Sequence, residues 1–498
     1  MVTPFLTLLL PDEAATLALA EDVAAILAPG DAIGLSGGLG AGKTTLARAL
    51  IRAVADDAAL EVPSPTFTLV QTYAAGRLTI GHFDLYRLGS PDEVEEIGLT
   101  DAMADGAILV EWPERGEGRL PVDRLDIVLT IDGAGRRAEL SGNDIWRGRI
   151  DRTRAIRALV EGAGFSGASR RFLQGDASIR HFERVRTDTQ SAVLMDWPKP
   201  AAPVRDSRAA FRAQEVGAFL AVDAALGAIG LSAPAIFAAD RQAGLVLMED
   251  FGDEGVLIDG APDRERYGVA IEALAAIHGA PRAAVLPVPG GGDHRLLTLS
   301  AKVLAGDRDL FVDWYVPHVT GGPLDRSAAE SFAVIWAALC ARLAATEQSW
   351  VLFDMQSPNL FWLPTRAGIA RIGLIDFQDM FAGPAAYDVA SLCQDARVTV
   401  SPDLEMSLRD RYVALRRAGG KPFDADSFAE AYAILAAART LKNMGVFARL
   451  ADLSGKIQYL QHLPRMDDYL ARNLKHPVLS DLAVWYERHL PPPRQTAQ

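Results

Sequence analysis

Gly37 to Thr45 reads GGLGAGKTT and sets Gly37, Gly42, Lys43 and Thr44 in a G-x-x-x-x-G-K-[ST] pattern. Glycines at this spacing let a backbone curl until several N–H groups face one phosphate chain. The candidate cradle is Gly37, Gly38, Leu39, Gly40, Ala41, Gly42, Lys43, Thr44 and Thr45. Lys43 supplies a point charge for the β- and γ-phosphates, the Thr44 hydroxyl can hold Mg²⁺, and a helix N-terminus adds positive dipole. Two carboxylates follow. Glu111 ends the apolar run AILVEW, where such folds commonly place the acid that orders Mg²⁺ or its water. Asp84 lies in HFDLYR, with His82, Tyr86 and Arg87 crowded around it in sequence. This is the chemistry of ATP binding and hydrolysis.

A second set of candidates stands far down the chain. VLFDMQSPNLFWLP carries Asp354 and Asn359, spaced as the base and the metal-binding Asn are in kinase catalytic loops. Asp376 ends the apolar strand IGLI, where a kinase places its metal-binding Asp. In phosphoryl transfer an Asn and an Asp hold Mg²⁺ against the phosphates while another Asp takes the proton of the attacking hydroxyl.

The elements needed to position these groups are legible. AIGLS (Ala32 to Ser36) is a strand entering the cradle and TLARALIRAV a helix leaving it. Before them, Thr16 to Gly30 has helical spacing and stops at Pro-Gly. Val62 to Tyr73 passes from a Pro-stiffened loop into a strand, and Leu78 to Leu88 completes a hairpin. DEVEEIGL reads as one short acidic helix, and RLDIVLTIDG with RRAELSG as another hairpin. The domain boundary is placed near Ile150, giving domains 1–150 and 151–498, and the Arg-rich helix across it reads as a solvated first helix rather than an RNA-facing patch. Beyond it, RRFLQGDASIRHFERVRT and SAVLMDWPKP read as two strands, Phe211 to Leu231 as a helix, and helical patterns dominate after Tyr267. Strands first and helices after is the order of a two-lobed kinase.

Composition narrows the setting. The chain has 498 residues, enough for two or three domains with full cores. Its net charge of −14 argues against holding nucleic acid on its own surface. No uninterrupted apolar run approaches the about 20 residues of a membrane span, and FLTLLL lacks the flanks of a signal peptide. Only Cys340 and Cys393 are present, which excludes a disulfide framework and fits a reducing cytoplasm. Those cysteines, with Trp314, Tyr315, Trp336, His278 and His318, read as scaffold rather than sugar ligands.

SPTFTLV, HFDLYRL, VEWPE and GGLGAGKTT, in this order, resemble the bacterial ATPase subunit of tRNA threonylcarbamoyladenosine synthesis, over roughly residues 1 to 145. The resemblance implies an α/β P-loop NTPase domain that hydrolyses ATP within a complex placing threonylcarbamoyl on adenosine 37 of tRNA. The partners would be the other subunits of that complex, with tRNA met only through them. It also implies that Thr44 and Glu111 hold Mg²⁺, that Ser64 to Thr68 form a switch-like loop, that Asp84 is needed for hydrolysis, and that Trp112 lies beside the nucleotide. Gly38 stands where the family usually has an acid, which leaves the phosphate anchors in place.

The remainder is similar to aminoglycoside phosphotransferase-like kinases, an α+β two-lobed, protein-kinase-like fold. GDASIRHF, VLMDWPKP, LVLMEDFGD, IDFQDMFAGPAAYDVASL, LKNMGVFARL and YLQHLPRMDDYL resemble the branch that phosphorylates the anomeric hydroxyl of N-acetylmuramate and N-acetylglucosamine in cell-wall recycling. The resemblance implies ATP and Mg²⁺ as cofactors and an amino-sugar substrate. Asp354 would be the base and Asn359 and Asp376 the Mg²⁺ ligands. Gly175, Asp176 and Ser178 would belong to the loop over the phosphates, and Met248 to Asp250 would line the adenine hinge. Three departures show. Met195 and Asp196 replace the strand lysine of the superfamily, so Arg180 or Arg184 would have to substitute; Leu352 replaces the His that braces the catalytic loop; and Glu215, with no lysine to pair, reads as a surface helix residue. Two alternatives follow: another hydroxyl substrate (an aminoglycoside, choline or homoserine), or a pseudokinase that regulates the ATPase.

Overall fold

The computed structural model describes residues 3–90, 93–116, 118–173, 180–198, 213 and 215–490. The chain forms two compact units, Met1–Pro198 with Ala235–Asp250, and Lys199–Pro234 with Phe251–Gln498.

The first unit holds two sheets. Strands β1 (Leu6–Leu10), β2 (Ala32–Ser36), β3 (Val70–Ala75), β4 (Leu78–Asp84), β5 (Gly106–Glu111), β6 (Leu125–Asp132) and β7 (Gly135–Ser141) lie in the order β1-β7-β6-β2-β5-β4-β3. β2 is parallel to both β5 and β6, and β4 is parallel to β5. This explains why β5 is an unbroken apolar run: Leu109 enters the cluster with Ile33, Leu46 and Leu50, while Ile108 and Val110 enter another with Phe83 and Leu85. Helices α1 (Glu13–Ile26) and α2 (Lys43–Ala55) pack into the first of these clusters. α1 starts at Asp12, whose carboxylate accepts from Ala15 N at 2.9 Å. The acidic stretch expected as one helix is two short ones, α3 (Glu93–Glu96) and α4 (Leu99–Asp105), with Gly98 between them.

The second sheet is antiparallel. It contains β8 (Ser169–Leu173), β9 (His181–Arg186), β10 (Ser191–Asp196), β11 (Ile236–Asp240) and β12 (Leu245–Glu249), in the order β11-β12-β10-β9-β8. The two strands expected before Pro198 are three, because RRFLQGDASIRHFERVRT holds both β8 and β9, which pair antiparallel from Ser169 with Arg186 to Leu173 with Phe182.

Helix α5 (Asp144–Gly162) runs unbroken through Ile150 and serves both sheets. Its Trp146 and Ile150 are buried in the core around β2, and its Ile156 and Val160 in the core with Val185, Leu194 and Leu247. Its arginines are not a solvated row. Arg149 pairs with Asp31 (2.7 Å), Arg152 pairs with Asp196, and Arg157 holds Asp22 of α1 (2.8 Å). Asp22 also binds Arg170 of β8 (2.6 Å), whose guanidinium forks onto Glu183 of β9 (2.6 and 2.9 Å).

The second unit is mostly helical and includes Val216–Ala228, Arg264–Gly279, Pro402–Ala418 and the long helix Ala425–Ser454. Two small antiparallel pairs flank its candidate residues: Gln348–Val351 with Phe381–Pro384, and Leu360–Trp362 with Ile372–Leu374. Among the described residues one helix, Arg326–Ala344, is long and apolar enough to cross a membrane by length and composition. Its Trp336 donates to Leu304 O (2.9 Å) and its Phe332 stacks on Trp485 (4.4 Å), so those residues serve as core of this unit.

Candidate functional site

In the P-loop, Gly37 (φ +139°) and Gly42 (φ +105°) take left-handed backbone, and a Cβ on Gly37 would meet Leu129 O at 2.3 Å. α2 therefore begins at Lys43 with its N–H groups turned toward the loop. The register of the parallel strands sets Leu35 beside Glu111, and Glu111 beside Asp84, at the carboxyl ends of β2, β5 and β4. A cavity of about 360 Å³ opens there, lined by Gly40, Lys43, Thr44, Asp84, Glu111 and Trp112 among others.

Each carboxylate has a defined set of partners. Glu111 accepts from Thr44 Oγ1 through Oε2 (2.9 Å) and meets His82 Nε2 through Oε1 (3.0 Å). Asp84 accepts from Thr66 Oγ1 (2.7 Å) and Ser64 Oγ (3.1 Å) through Oδ2, and from Tyr86 N (3.0 Å) through Oδ1. The loop Ser64 to Thr68 is thus tied to Asp84. His82 serves Glu111 instead of crowding Asp84, and Arg87 lies over Phe67 (4.2 Å). Lys43 Nζ donates to Gly37 O (2.7 Å) and Gly38 O (3.0 Å) and sits 3.7 Å from the centre of the Trp112 ring. Burial pushes its pKa below the ordinary lysine value, with Glu111, Glu114 and Asp84 opposing. Arg136 of β7 donates to Gly40 O (3.2 Å) and Ala41 O (3.0 Å) and lines the same cavity. Sequence reasoning missed it, because nothing in RRAELS distinguishes a loop-bracing arginine from a solvated one.

In the second unit a hairpin brings the kinase candidates together. Leu360 pairs with Leu374, and Ile375 N donates to Asn359 O (3.1 Å), so Asn359 and Asp376 flank one end of the pair. Asn359 Nδ2 donates to Asp354 O (2.8 Å), closing the loop on itself. Gln378 Nε2 donates to Asp376 Oδ1 (2.9 Å). Two buried carboxylates anchor the loop. Asp388 accepts from Leu352 N (2.7 Å) and Phe353 N (3.1 Å), and Asp395 accepts from Ser357 N (2.7 Å). His278 is buried with Nδ1 at 2.8 Å from Tyr412 Oη, in a scaffold position. Among the described residues no group of three or more His, Cys, Asp or Glu side chains could hold a metal ion. The pairs Thr44 with Glu111 and Asn359 with Asp376 offer hard oxygen donors, which suit Mg²⁺ sharing its shell with water and phosphate.

Of the remaining kinase candidates, Met195, Arg180, Met248 and Asp250 belong to the first unit and Glu215 to the second. Met248 is buried at the end of β12, and Asp250 follows with its carboxylate held by Arg184 (2.9 Å) and Ser191. Met195 is buried, and Arg180 lies near Trp197 (5.3 Å). Glu215 is the exposed N-cap of Val216–Ala228 rather than a residue inside that helix. Gly175, Asp176 and Ser178 lie outside the described residues.

Residues 169–430 match the family described as phosphotransferase enzyme family, APH, and residues 10–138 match the family described as threonylcarbamoyl adenosine biosynthesis protein TsaE. The chain belongs to the phosphotransferase enzyme family, behind a TsaE domain. An N-acetylmuramate/N-acetylglucosamine kinase of Caulobacter vibrioides is 36% identical over 68% of this chain and 97% of its own. A TsaE of Rickettsia bellii is 38% identical over 25% of this chain and 85% of its own, and one of Haemophilus influenzae is 46% identical over 20% and 60%. The N-terminal domain is thus TsaE-like and the C-terminal domain amino-sugar-kinase-like, in an enzyme of ATP-dependent phosphotransfer.

Proposed function

We propose that the chain is a bifunctional cytoplasmic enzyme divided functionally near Ile150. Residues 1–150 hydrolyse ATP in support of threonylcarbamoylation of tRNA adenosine 37, together with the subunits of that transferase complex and reaching tRNA only through them. Residues 151–498 phosphorylate the anomeric hydroxyl of N-acetylmuramate or N-acetylglucosamine in cell-wall recycling. The observation that carries the kinase reading is the 36% identity to the Caulobacter kinase across 97% of that protein.

Asp354 accepts the proton of the anomeric hydroxyl while its oxygen bonds to the γ-phosphorus and the bond to the β–γ bridging oxygen breaks. The products are the sugar 1-phosphate and ADP. Asn359 and Asp376 would hold Mg²⁺ there, as Thr44 and Glu111 would in the ATPase domain; bound Mg²⁺ neutralises phosphate charge. Gly175, Asp176 and Ser178 cover the kinase phosphates, and Met248 to Asp250 receive the adenine. In the ATPase domain the loop Gly37 to Thr45 cradles the phosphates and Lys43 exchanges its two loop carbonyls for phosphate oxygens. Trp112 lies beside the nucleotide. Asp84 holds the Ser64 to Thr68 loop in the state that supports hydrolysis.

The test is phosphorylation of a sugar panel by the full-length protein, with the product read by ³¹P NMR. An anomeric phosphate on either N-acetylated sugar, absent in Asp354→Ala, is expected. No anomeric phosphate on either one sinks the substrate choice, and a wild type no better than Asp354→Ala favours a regulatory pseudokinase. Lys43→Ala should abolish sugar-independent ATP hydrolysis and leave sugar phosphorylation intact; loss of both would mean that the sites are coupled.

A further inference from the structure

Leu352, buried and apolar, stands two positions before Asp354, where a bracing polar side chain is expected. The loop nevertheless holds a backbone state that needs bracing. Phe353, the residue before the base, has φ +78°, a left-handed conformation for a bulky side chain. Such a residue is strained and persists only where its surroundings over-determine it.

Both polar groups of that residue are held from outside the loop. Its N–H goes to Asp388 (3.1 Å), and its carbonyl accepts from Arg439 Nη1 (3.2 Å). Arg439 comes from the long helix Ala425–Ser454, remote in sequence, and is buried. Its guanidinium carbon lies 4.8 Å from the centre of the Tyr387 ring, and Tyr387 stacks on Phe353 (5.6 Å, 13°). Arginine therefore grips Phe353 twice, directly at the carbonyl and through a ring packed on its side chain. Burial works against the charge, yet Tyr387 and Asp354 nearby hold its pKa above the usual arginine value.

We propose that Arg439 is a positioning residue for phosphoryl transfer: by fixing the Phe353 carbonyl it sets the direction in which Asp354 leaves the loop, and it does the bracing that Leu352 cannot. A lysine would keep the charge and lose the planar face that stacks on Tyr387. The inference rests on Asp354 as the base, and the test separates the two.

Arg439→Lys and Arg439→Met are made in the full-length protein and compared with Asp354→Ala in the N-acetylglucosamine kinase assay. The expected result is a kcat lower by about 10- to 100-fold in Arg439→Met, the scale of a misplaced reacting group. KM for ATP and sugar should change little, and Arg439→Lys should recover part of the loss. Loop order is read without any substrate, by hydrogen–deuterium exchange across residues 350–356, which should quicken in Arg439→Met. Folded variants with wild-type kcat, a loss confined to KM, or unchanged exchange across the loop overturn the proposal. If Arg439→Met does not fold, Arg439→Lys decides by the same readouts. Full activity in Asp354→Ala would instead remove the base assignment, while the exchange result still stands on its own.

Discussion

Asp223 lies inside the helix Val216–Ala228, with carboxylate oxygen Oδ1 buried and without a hydrogen-bond partner among the described residues. Burial pushes its pKa up from 3.8 to about 7. An acid whose folded pKa exceeds its unfolded value binds more protons when folded. Its favourable contribution is therefore intact below the unfolded value and is lost as pH rises toward about 7. Asp223→Asn removes that dependence. Denaturant unfolding of the variant and the wild type should give a stability difference, in favour of the variant, that widens from about pH 4 to about pH 7 and is level above that. A difference independent of pH would show that the carboxyl is solvated in the fold. At the same scale, Glu111 shows why a strand-end acid is more than surface charge: Thr44 and His82 each take one of its oxygens, which fixes the carboxylate plane.

The long helix Ala425–Ser454 is the element on which the kinase loop depends, since it delivers Arg439 and packs tightly elsewhere. A Cβ on its Gly445 would meet Leu310 O at 2.3 Å and Phe311 N at 2.7 Å. Those are backbone atoms of a neighbouring helical turn and have no rotamer by which to move aside. Helix propensity alone favours Ala over Gly by about 1 kcal/mol, but overpacking of this kind costs about 1–3 kcal/mol. The close approach should win. Gly445→Ala is expected to unfold at lower denaturant and to lose kinase turnover as the helix shifts outward, checked by urea unfolding and steady-state kinetics. A more stable variant would mean that propensity had won.

Within the first unit, the TsaE domain and the antiparallel sheet β8 to β12 share helix α5 and a buried polar cluster. Arg170, Asp22 and Glu183 are all buried, and Thr153 Oγ1 accepts from Arg170 Nη1 (3.0 Å). Removing one partner leaves a buried charge uncompensated, at a cost of about 3–5 kcal/mol, whereas replacing the whole set by apolar residues can be close to neutral. Arg170→Met in the full chain should accordingly lower stability by that amount and broaden the unfolding transition. Arg170→Met with Glu183→Leu, Asp22→Leu and Arg157→Met, which also removes the arginine that Asp22 holds from α5, should recover much of the loss. Calorimetry of both variants checks this. Equal losses in the two would place the network outside the joint's energetics.

The local chemistry of this protein was written in short stretches of sequence. The phosphate loop, the strand-end acids Asp84 and Glu111, and the Asp354, Asn359 and Asp376 set are legible because each depends on residue type at short spacing within a strand–turn–helix or loop–strand unit. Apolar runs, alternation and turn residues likewise marked most strands of the P-loop sheet. What tertiary structure decided is which distant groups complete each site. His82 turns to Glu111 because parallel register sets β4 against β5. Asn359 and Asp376 come to one end of the same strand pair only through a hairpin closed by Leu360 and Leu374. Arg439 and Arg136 meet their loops from remote elements, with no local pattern to announce them. The same holds for α5: its composition marks a basic helix, but charge in a sequence has no direction. Only packing between two sheets showed that three of its arginines are spent on carboxylates from other elements.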